Sequence, residues 1–146
     1  MTRNITRHET RIRVRYAETD QMGVVYHANY LIWMEVARVE FCSTLGFRYR
    51  DMEREEGVFM VVVEANCRYL RPARFDDEVL VETSVKSANT KMLEFTYRMT
   101  RQEDGELLVT GFTKHLCVGR DMRVTRLPGR YLPLFGRAII EVKGNV

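Results

Sequence analysis

Period-two alternation of apolar and polar residues runs along most of the chain, on either side of one long apolar block. Ile12, Val14 and Tyr16 alternate with Arg11, Arg13 and Arg15, which predicts a first strand over about Thr10 to Ala17 with one solvated face. Val61, Val63, Ala65, Cys67 and Tyr69 alternate with Val62, Glu64, Asn66 and Arg68, and Val79, Val81, Thr83 and Val85 alternate with Glu82, Ser84 and Lys86. Leu93, Phe95, Tyr97 and Met99 against Glu94, Thr96, Arg98 and Thr100 form the most regular of these patterns, and Leu108 to Val118 reads as a last strand. Asp104-Gly105 is a hairpin signal, Ser87 to Thr90 a second tight turn, and Arg71-Pro72-Ala73 a corner or bulge. The apolar block, Asn29 to Leu45, predicts a helix about 25 Å long. Its apolar residues cover nearly every face, interrupted mainly by Glu35, Arg38 and Glu40, and a helix of that kind is normally buried. Gly46 suits its C-cap, and a short second helix over Tyr49 to Glu55 ends at Gly57.

One long helix and about five strands predict an α+β fold. Four consecutive strands joined by short turns read as a meander, and only that sheet is available to cover the helix. A sheet curled around one helix leaves its outer face open. Val62 and Leu80, set beside charged residues, point to a second subunit covering that face.

Length and composition narrow the picture. The chain has 146 residues, which predicts one domain with a true core. Hydrophobic residues make up 45% and charged residues 29%, a balance that excludes disorder, and no apolar run is long enough for a membrane-spanning helix. The net charge of +3 is too small to indicate nucleic acid, though it suits an anionic ligand. Cys42, Cys67 and Cys117 are widely spaced with no CxxC pair, so reduced core cysteines are expected rather than a disulfide framework or a metal site. The N-terminus lacks the apolar segment of a signal peptide, so a cytoplasmic protein is expected and the sequon at Asn4-Ile5-Thr6 carries no meaning.

The richest candidate chemistry lies between Thr19 and Tyr30, in a loop leading into the long helix. A helix N-terminus offers unpaired N–H groups and a partial positive charge, suited to a developing oxyanion. Asp20 precedes it by a few residues, Gly23 allows close approach of a ligand, and His27 stands just before the helix, able to donate a hydrogen bond or exchange a proton. Each has a plain structural alternative. Asp20 in D-x-x-G serves as a turn residue, His27 as a structural hydrogen bonder, and Glu35, expected to be buried, pairs with Arg38. His8 and His115 read as surface or strand positions, and Cys42 in an apolar helix is a poor nucleophile. No GxSxG, P-loop, dinucleotide or HExxH motif is present.

The run from Arg13 to Tyr30, with its spacing T-D-x-x-G-V-V-x-H-x-x-Y, resembles the signature of the hotdog-fold acyl-CoA thioesterases of the 4-hydroxybenzoyl-CoA thioesterase family. The nearest branch is that of the small bacterial acyl-CoA thioesterases associated with the Tol–Pal system. Tyr69 to Asp77 resembles the same family's strand corner. The resemblance spans about residues 8 to 128 of a single domain covering 1 to 146, with 129 to 146 expected as a loosely attached tail.

It implies a hotdog fold, a long central helix wrapped by a five- to six-stranded antiparallel sheet, and hydrolysis of acyl-CoA to free acid and coenzyme A. Asp20 falls on the catalytic carboxylate, general base or nucleophile, and the His27 N–H on the group that polarises the thioester carbonyl. Gly23, Tyr26 and Glu35 fall on supporting positions. Lys91 and Arg123 match basic positions that contact the nucleotide end of coenzyme A, with Arg71 and Arg74 as further candidates. Trp33, Met34, Phe41 and Phe59 are candidates for the acyl pocket, with core packing as the main role of most of them. No metal or other cofactor is needed, since coenzyme A is part of the substrate. Homodimers or homotetramers are implied, and an acyl carrier protein is a second carrier that would fit. Two alternatives stand beside this reading: a non-catalytic acyl-CoA-binding module, and a hotdog hydratase or dehydratase of enoyl-thioesters using His27.

Overall fold

The computed structural model describes residues 6–46 and 48–138. Its strands are β1 (Arg7–Arg13), β2 (Phe59–Tyr69), β3 (Glu78–Ala88), β4 (Met92–Arg101) and β5 (Leu107–Val118). They form one antiparallel sheet in the order β1-β3-β4-β5-β2. Helix α1 (Asn29–Leu45) packs on the sheet; α2 (Tyr49–Asp51) runs on into a wide turn, Met52–Glu56, and α3 (Leu132–Ala138) ends the described chain. The sequon at Asn4 falls outside the described residues.

The expected four-strand meander holds only for β3, β4 and β5. β2 lies at the far edge beside β5 and does not touch β3. Period-two alternation marks the two faces of a strand and carries nothing about which strand lies beside it. Two amides, Leu70 N–H and Arg71 N–H, donate to the Leu108 carbonyl at 2.8 and 3.1 Å and tie the end of β2 to β5. The chain then crosses to the opposite edge, where Asp76 N–H and the Asp77 carbonyl pair with Val14. The first strand is also shorter than expected. After Arg13 the chain turns through a single 3₁₀ turn, Tyr16–Glu18, and Tyr16 faces solvent.

α1 is not buried all round. Tyr30, Trp33, Met34, Ala37, Arg38, Phe41 and Cys42 face the sheet, at the three- and four-residue spacing of one helix face. Leu31, Ile32, Val36 and Val39 are 39%, 53%, 46% and 44% exposed. Glu35 stands on that open side and is exposed, which corrects the expectation that it is a buried carboxylate. Gly46 closes the helix in the left-handed region at φ +108°, its N–H donating to Cys42 and Ser43 carbonyls. Where α1 crosses the sheet, Gly111 is required. A Cβ there would lie 2.1 Å from the Asn66 carbonyl oxygen and 2.6 Å from the Met34 methyl.

The expected loose tail is in part core. Tyr131 is 4% exposed and Phe135 fully buried, with the Phe135 ring edge-on to Phe95 at 6.1 Å. Two aromatics four residues apart on one face pin this segment against the sheet. Residues 139–146 lie outside the described part.

Candidate active site

The loop before α1 is held by Glu18, a residue that no motif or periodicity in the sequence singles out. Its carboxylate is buried and accepts hydrogen bonds from Arg15 N–H and from the Trp33 indole N–H, both at 2.8 Å. Its carbonyl accepts from Tyr26 N–H and from the Asn29 side-chain amide, again at 2.8 Å. Burial works against the charge of Glu18. The Arg15 and Trp33 hydrogen bonds and the Arg15 guanidinium outweigh burial and hold the carboxyl below its ordinary range. One residue thus fastens both ends of the loop to α1. Nothing in periodicity marks it, because its partners lie 3, 8, 11 and 15 residues away.

Asp20 follows. Its Oδ1 accepts from Met22 N–H at 2.8 Å and, at the long distance of 3.5 Å, from Val24 N–H; its carbonyl accepts from Gly23 N–H at 3.0 Å. Gly23 adopts φ +79°, which a side chain would strain. Asp20 is therefore a turn residue, but only one carboxylate oxygen is engaged. The other accepts no hydrogen bond among the described residues. Val25 N–H donates to the Ala73 carbonyl at 2.9 Å and Val24 bridges Arg74, so the loop is strapped to the corner after β2.

This strap encloses a pocket of about 290 Å³. Asp20 and His27 line it together with Val25, Tyr30, Tyr69 and Arg71. The Tyr69 hydroxyl donates to the His27 carbonyl at 3.1 Å, and the His27 ring packs on Tyr26 with centroids 4.5 Å apart. The His27 N–H finds no acceptor among the described residues, and Ala28, the N-cap, has no side chain to cap the first turn of α1. A free carboxylate oxygen and free N–H groups at a positive helix end therefore share one pocket. The Tyr30 hydroxyl accepts from Ala73 N–H at 3.2 Å and seats the corner on the helix. Tyr30 and Tyr69 stand at the ends of the runs Arg13 to Tyr30 and Tyr69 to Asp77, but only the tertiary contacts give them a role.

The remaining candidates are scattered. Gly23, Tyr26 and Arg74 shape or flank the loop without lining the pocket; Arg71 lines it while paired to Glu106 at 3.1 Å. Glu35 lines a different cavity on the open side of α1. Lys91 and Arg123 lie at the other end of the sheet. The Lys91 carbonyl accepts from Cys117 N–H, and the Arg123 carbonyl from Gly119 N–H, whereas the pocket adjoins the pair Tyr69–Val109. Val109 and Cys117 are separated by about 27 Å of extended β5. One chain cannot bring these two cations to its own Asp20.

Trp33, Met34 and Phe41 are packed in the core, and Phe59, at the start of β2, does not line the Asp20 pocket. Cys42 is pushed up to about 12 and Cys117 to about 11 by burial, which leaves both as unreactive thiols. His115 is fully buried in β5, and burial, with the nearby Arg38 charge, drives it down to about 3. Among the described residues no group of three His, Cys, Asp or Glu side chains comes together as metal ligands, and no helix is long and apolar enough to cross a membrane.

Comparison with known proteins matches residues 14–138 to the thioesterase-like superfamily. Bacillus subtilis YneP, provisionally named an acyl-CoA thioesterase, is 43% identical over 110 residues, covering 75% of this chain and 78% of its own. The DHNA-CoA thioesterase from Staphylococcus aureus is 39% identical with a TM-score of 0.82, over 90% of this chain and 87% of that one. The 4-hydroxybenzoyl-CoA thioesterase from Pseudomonas sp. strain CBS-3 shares the fold, with a TM-score of 0.80 at 21% identity over 88% of this chain and 99% of that one.

Proposed function

The chain belongs to the thioesterase-like superfamily, with its hotdog-like sheet and helix, and from that premise we propose that it hydrolyses acyl-CoA thioesters in the Asp20–His27 pocket. The observation that carries this reading is the pairing, in one pocket, of a half-engaged carboxylate with an uncapped helix N-terminus. A thioester is already activated, so water needs only a base and a place for the charge that develops on the carbonyl oxygen.

In this reading the free oxygen of Asp20 takes a proton from water, and the water oxygen bonds to the thioester carbon. The carbonyl oxygen becomes an oxyanion at the His27 N–H and the first turn of α1. Collapse breaks the C–S bond, the thiolate leaves as coenzyme A, and the acid is released. Direct attack by Asp20, through a mixed anhydride that water then opens, uses the same geometry. A positioned base contributes roughly 10²–10⁴-fold, and one oxyanion donor about 2.7–4 kcal/mol.

The open face of α1 and the exposed edge strand β2 support a second copy packing there. Lys91 and Arg123 would then serve coenzyme A bound at the partner's pocket, since they cannot reach their own.

Thiol release from short, long and aromatic acyl-CoAs tests the proposal. Asp20→Asn is expected to lower turnover at least about 100-fold with an unchanged circular dichroism spectrum. Undiminished turnover in that variant overturns the role of Asp20. Absence of turnover on every thioester overturns the enzyme assignment.

A further inference from the structure

At the helix end of the pocket stand two successive peptide units whose N–H groups, on His27 and Ala28, find no acceptor among the described residues. A trans peptide is planar, so whatever holds its carbonyl also fixes the direction of its N–H. The first unit is held from within the loop. Asn29 N–H donates to the Tyr26 carbonyl at 2.9 Å, which sets the His27 N–H. The second is held from outside it. The His27 carbonyl accepts from the Tyr69 hydroxyl at 3.1 Å, across 42 residues of chain. Among the described residues this is the one side-chain hydrogen bond to the backbone of either residue. Helix α1 gives the His27 carbonyl no hydrogen bond, so nothing within the loop replaces Tyr69.

Tyr69 is itself well anchored. It ends β2, and the bonds from Leu70 and Arg71 N–H to the Leu108 carbonyl tie the chain just after it to β5. Its ring packs against Tyr30 with centroids 5.6 Å apart and stands edge-on to His27 at 6.2 Å. The phenol is pushed up to about 12, by burial first and then by the Cys67 thiol beside it, so the hydroxyl keeps its proton and its capacity to donate across neutral pH. Donors to an oxyanion act through geometry held in advance, and a misplacement of about 1 Å costs up to about 100-fold in rate. We propose that Tyr69 is a positioning residue of the active site, its hydroxyl locking the His27 carbonyl and so holding the geometry of the His27 and Ala28 N–H groups for the developing oxyanion. The inference rests on the thioesterase reading, with the His27 N–H as oxyanion donor. The hydrogen bond lies within one chain, so it needs no accessible surface and holds whether or not a second copy covers β2.

Tyr69→Phe removes the hydroxyl and keeps the ring. On the acyl-CoA that the wild type hydrolyses fastest, kcat is expected to fall about tenfold with KM within about twofold, because the lost geometry matters in the transition state and not in substrate binding. The urea unfolding midpoint should stay close to that of the wild type. A raised KM at unchanged kcat would make Tyr69 a substrate contact, and a lowered midpoint at unchanged kcat and KM would make it merely structural; either result overturns the proposal. Asp20→Asn is run beside it. Turnover lost in Asp20→Asn and kept in full by Tyr69→Phe overturns the role of Tyr69 and leaves that of Asp20 standing. Absence of wild-type turnover on every thioester overturns the thioesterase reading, and this inference with it. Amide relaxation measured by NMR gives a readout that needs no turnover. In Tyr69→Phe the order parameters of His27 and Ala28 are expected to fall below the rigid range of about 0.85, while that of Val25, held by the Ala73 carbonyl, stays. Unchanged order at His27 and Ala28 overturns the proposal.

Discussion

β4 and β2 carry the same alternation, yet one is the centre of the molecule and the other its open edge. In β4, Leu93, Phe95, Tyr97 and Met99 are at most 3% exposed. In β2, Val62, Val63 and Tyr69 are 50%, 49% and 48% exposed. β4 has a strand on each side and the core aromatics beneath it; β2 has β5 on one side only, and its pairing shifts between Val62 and Glu64. The bulge places two consecutive valines in solvent. Alternation therefore identifies a strand and its faces, while coverage is decided by neighbours. α1 repeats the lesson, with one apolar face buried and the other open.

The sharpest way to break this contrast is to remove a β4 side chain. Phe95→Ala is expected to cost about 3–5 kcal/mol in urea unfolding, because a fully buried ring leaves a cavity against Phe41, His115 and Phe135. A cost near zero would show that β4 is no more central than β2. Gly111→Ala, at the seam between β5 and β2, should cost about 1–3 kcal/mol through overpacking against Asn66 and Met34. A neutral result would mean that the edge strand yields freely.

His115 sharpens the comparison through pH. It stays neutral in the folded chain down to about 3, whereas an unfolded histidine binds its proton below about 6.5. The unfolded state therefore holds the extra proton between those values. Stability should be fully present above about pH 6.5 and fall on acidification by about 1.4 kcal/mol per unit. Denaturant titrations at successive pH values should show that slope in the wild type and lose it in His115→Gln. The smallest effect belongs to β2. Val62→Lys should change the stability of the folded chain by no more than about 0.5 kcal/mol. If a second copy covers this strand, the same substitution should lower the mass seen in sedimentation equilibrium.

Much of the site was legible because it is local. Asp20, Gly23 and His27 lie within eight residues, between an alternating strand and an apolar block, and the loop between those elements had to open at a helix N-terminus. Glu18 was not legible, since its hydrogen bonds run to Arg15, Tyr26, Asn29 and Trp33, and only the folded loop brings these together. Glu35 was expected to be buried, with a pair to Arg38 as its plain structural alternative. The helix turns Glu35 outward and Arg38 inward, which leaves the charges apart. Lys91 and Arg123, expected at the nucleotide end of coenzyme A, lie the length of β5 away from this chain's own pocket, a separation that no local pattern reveals.

The amino-acid order by itself determined the strands, the 17-residue helix with its glycine cap and the turn-rich loop that precedes it, because propensity, period and turn chemistry act over a few residues. The tertiary structure alone decided that β2 pairs with β5, that Tyr131 and Phe135 complete the core, and which face of α1 is covered. These outcomes depend on contacts between residues far apart in the chain, and such contacts form only where the packed elements compete for the same apolar surface.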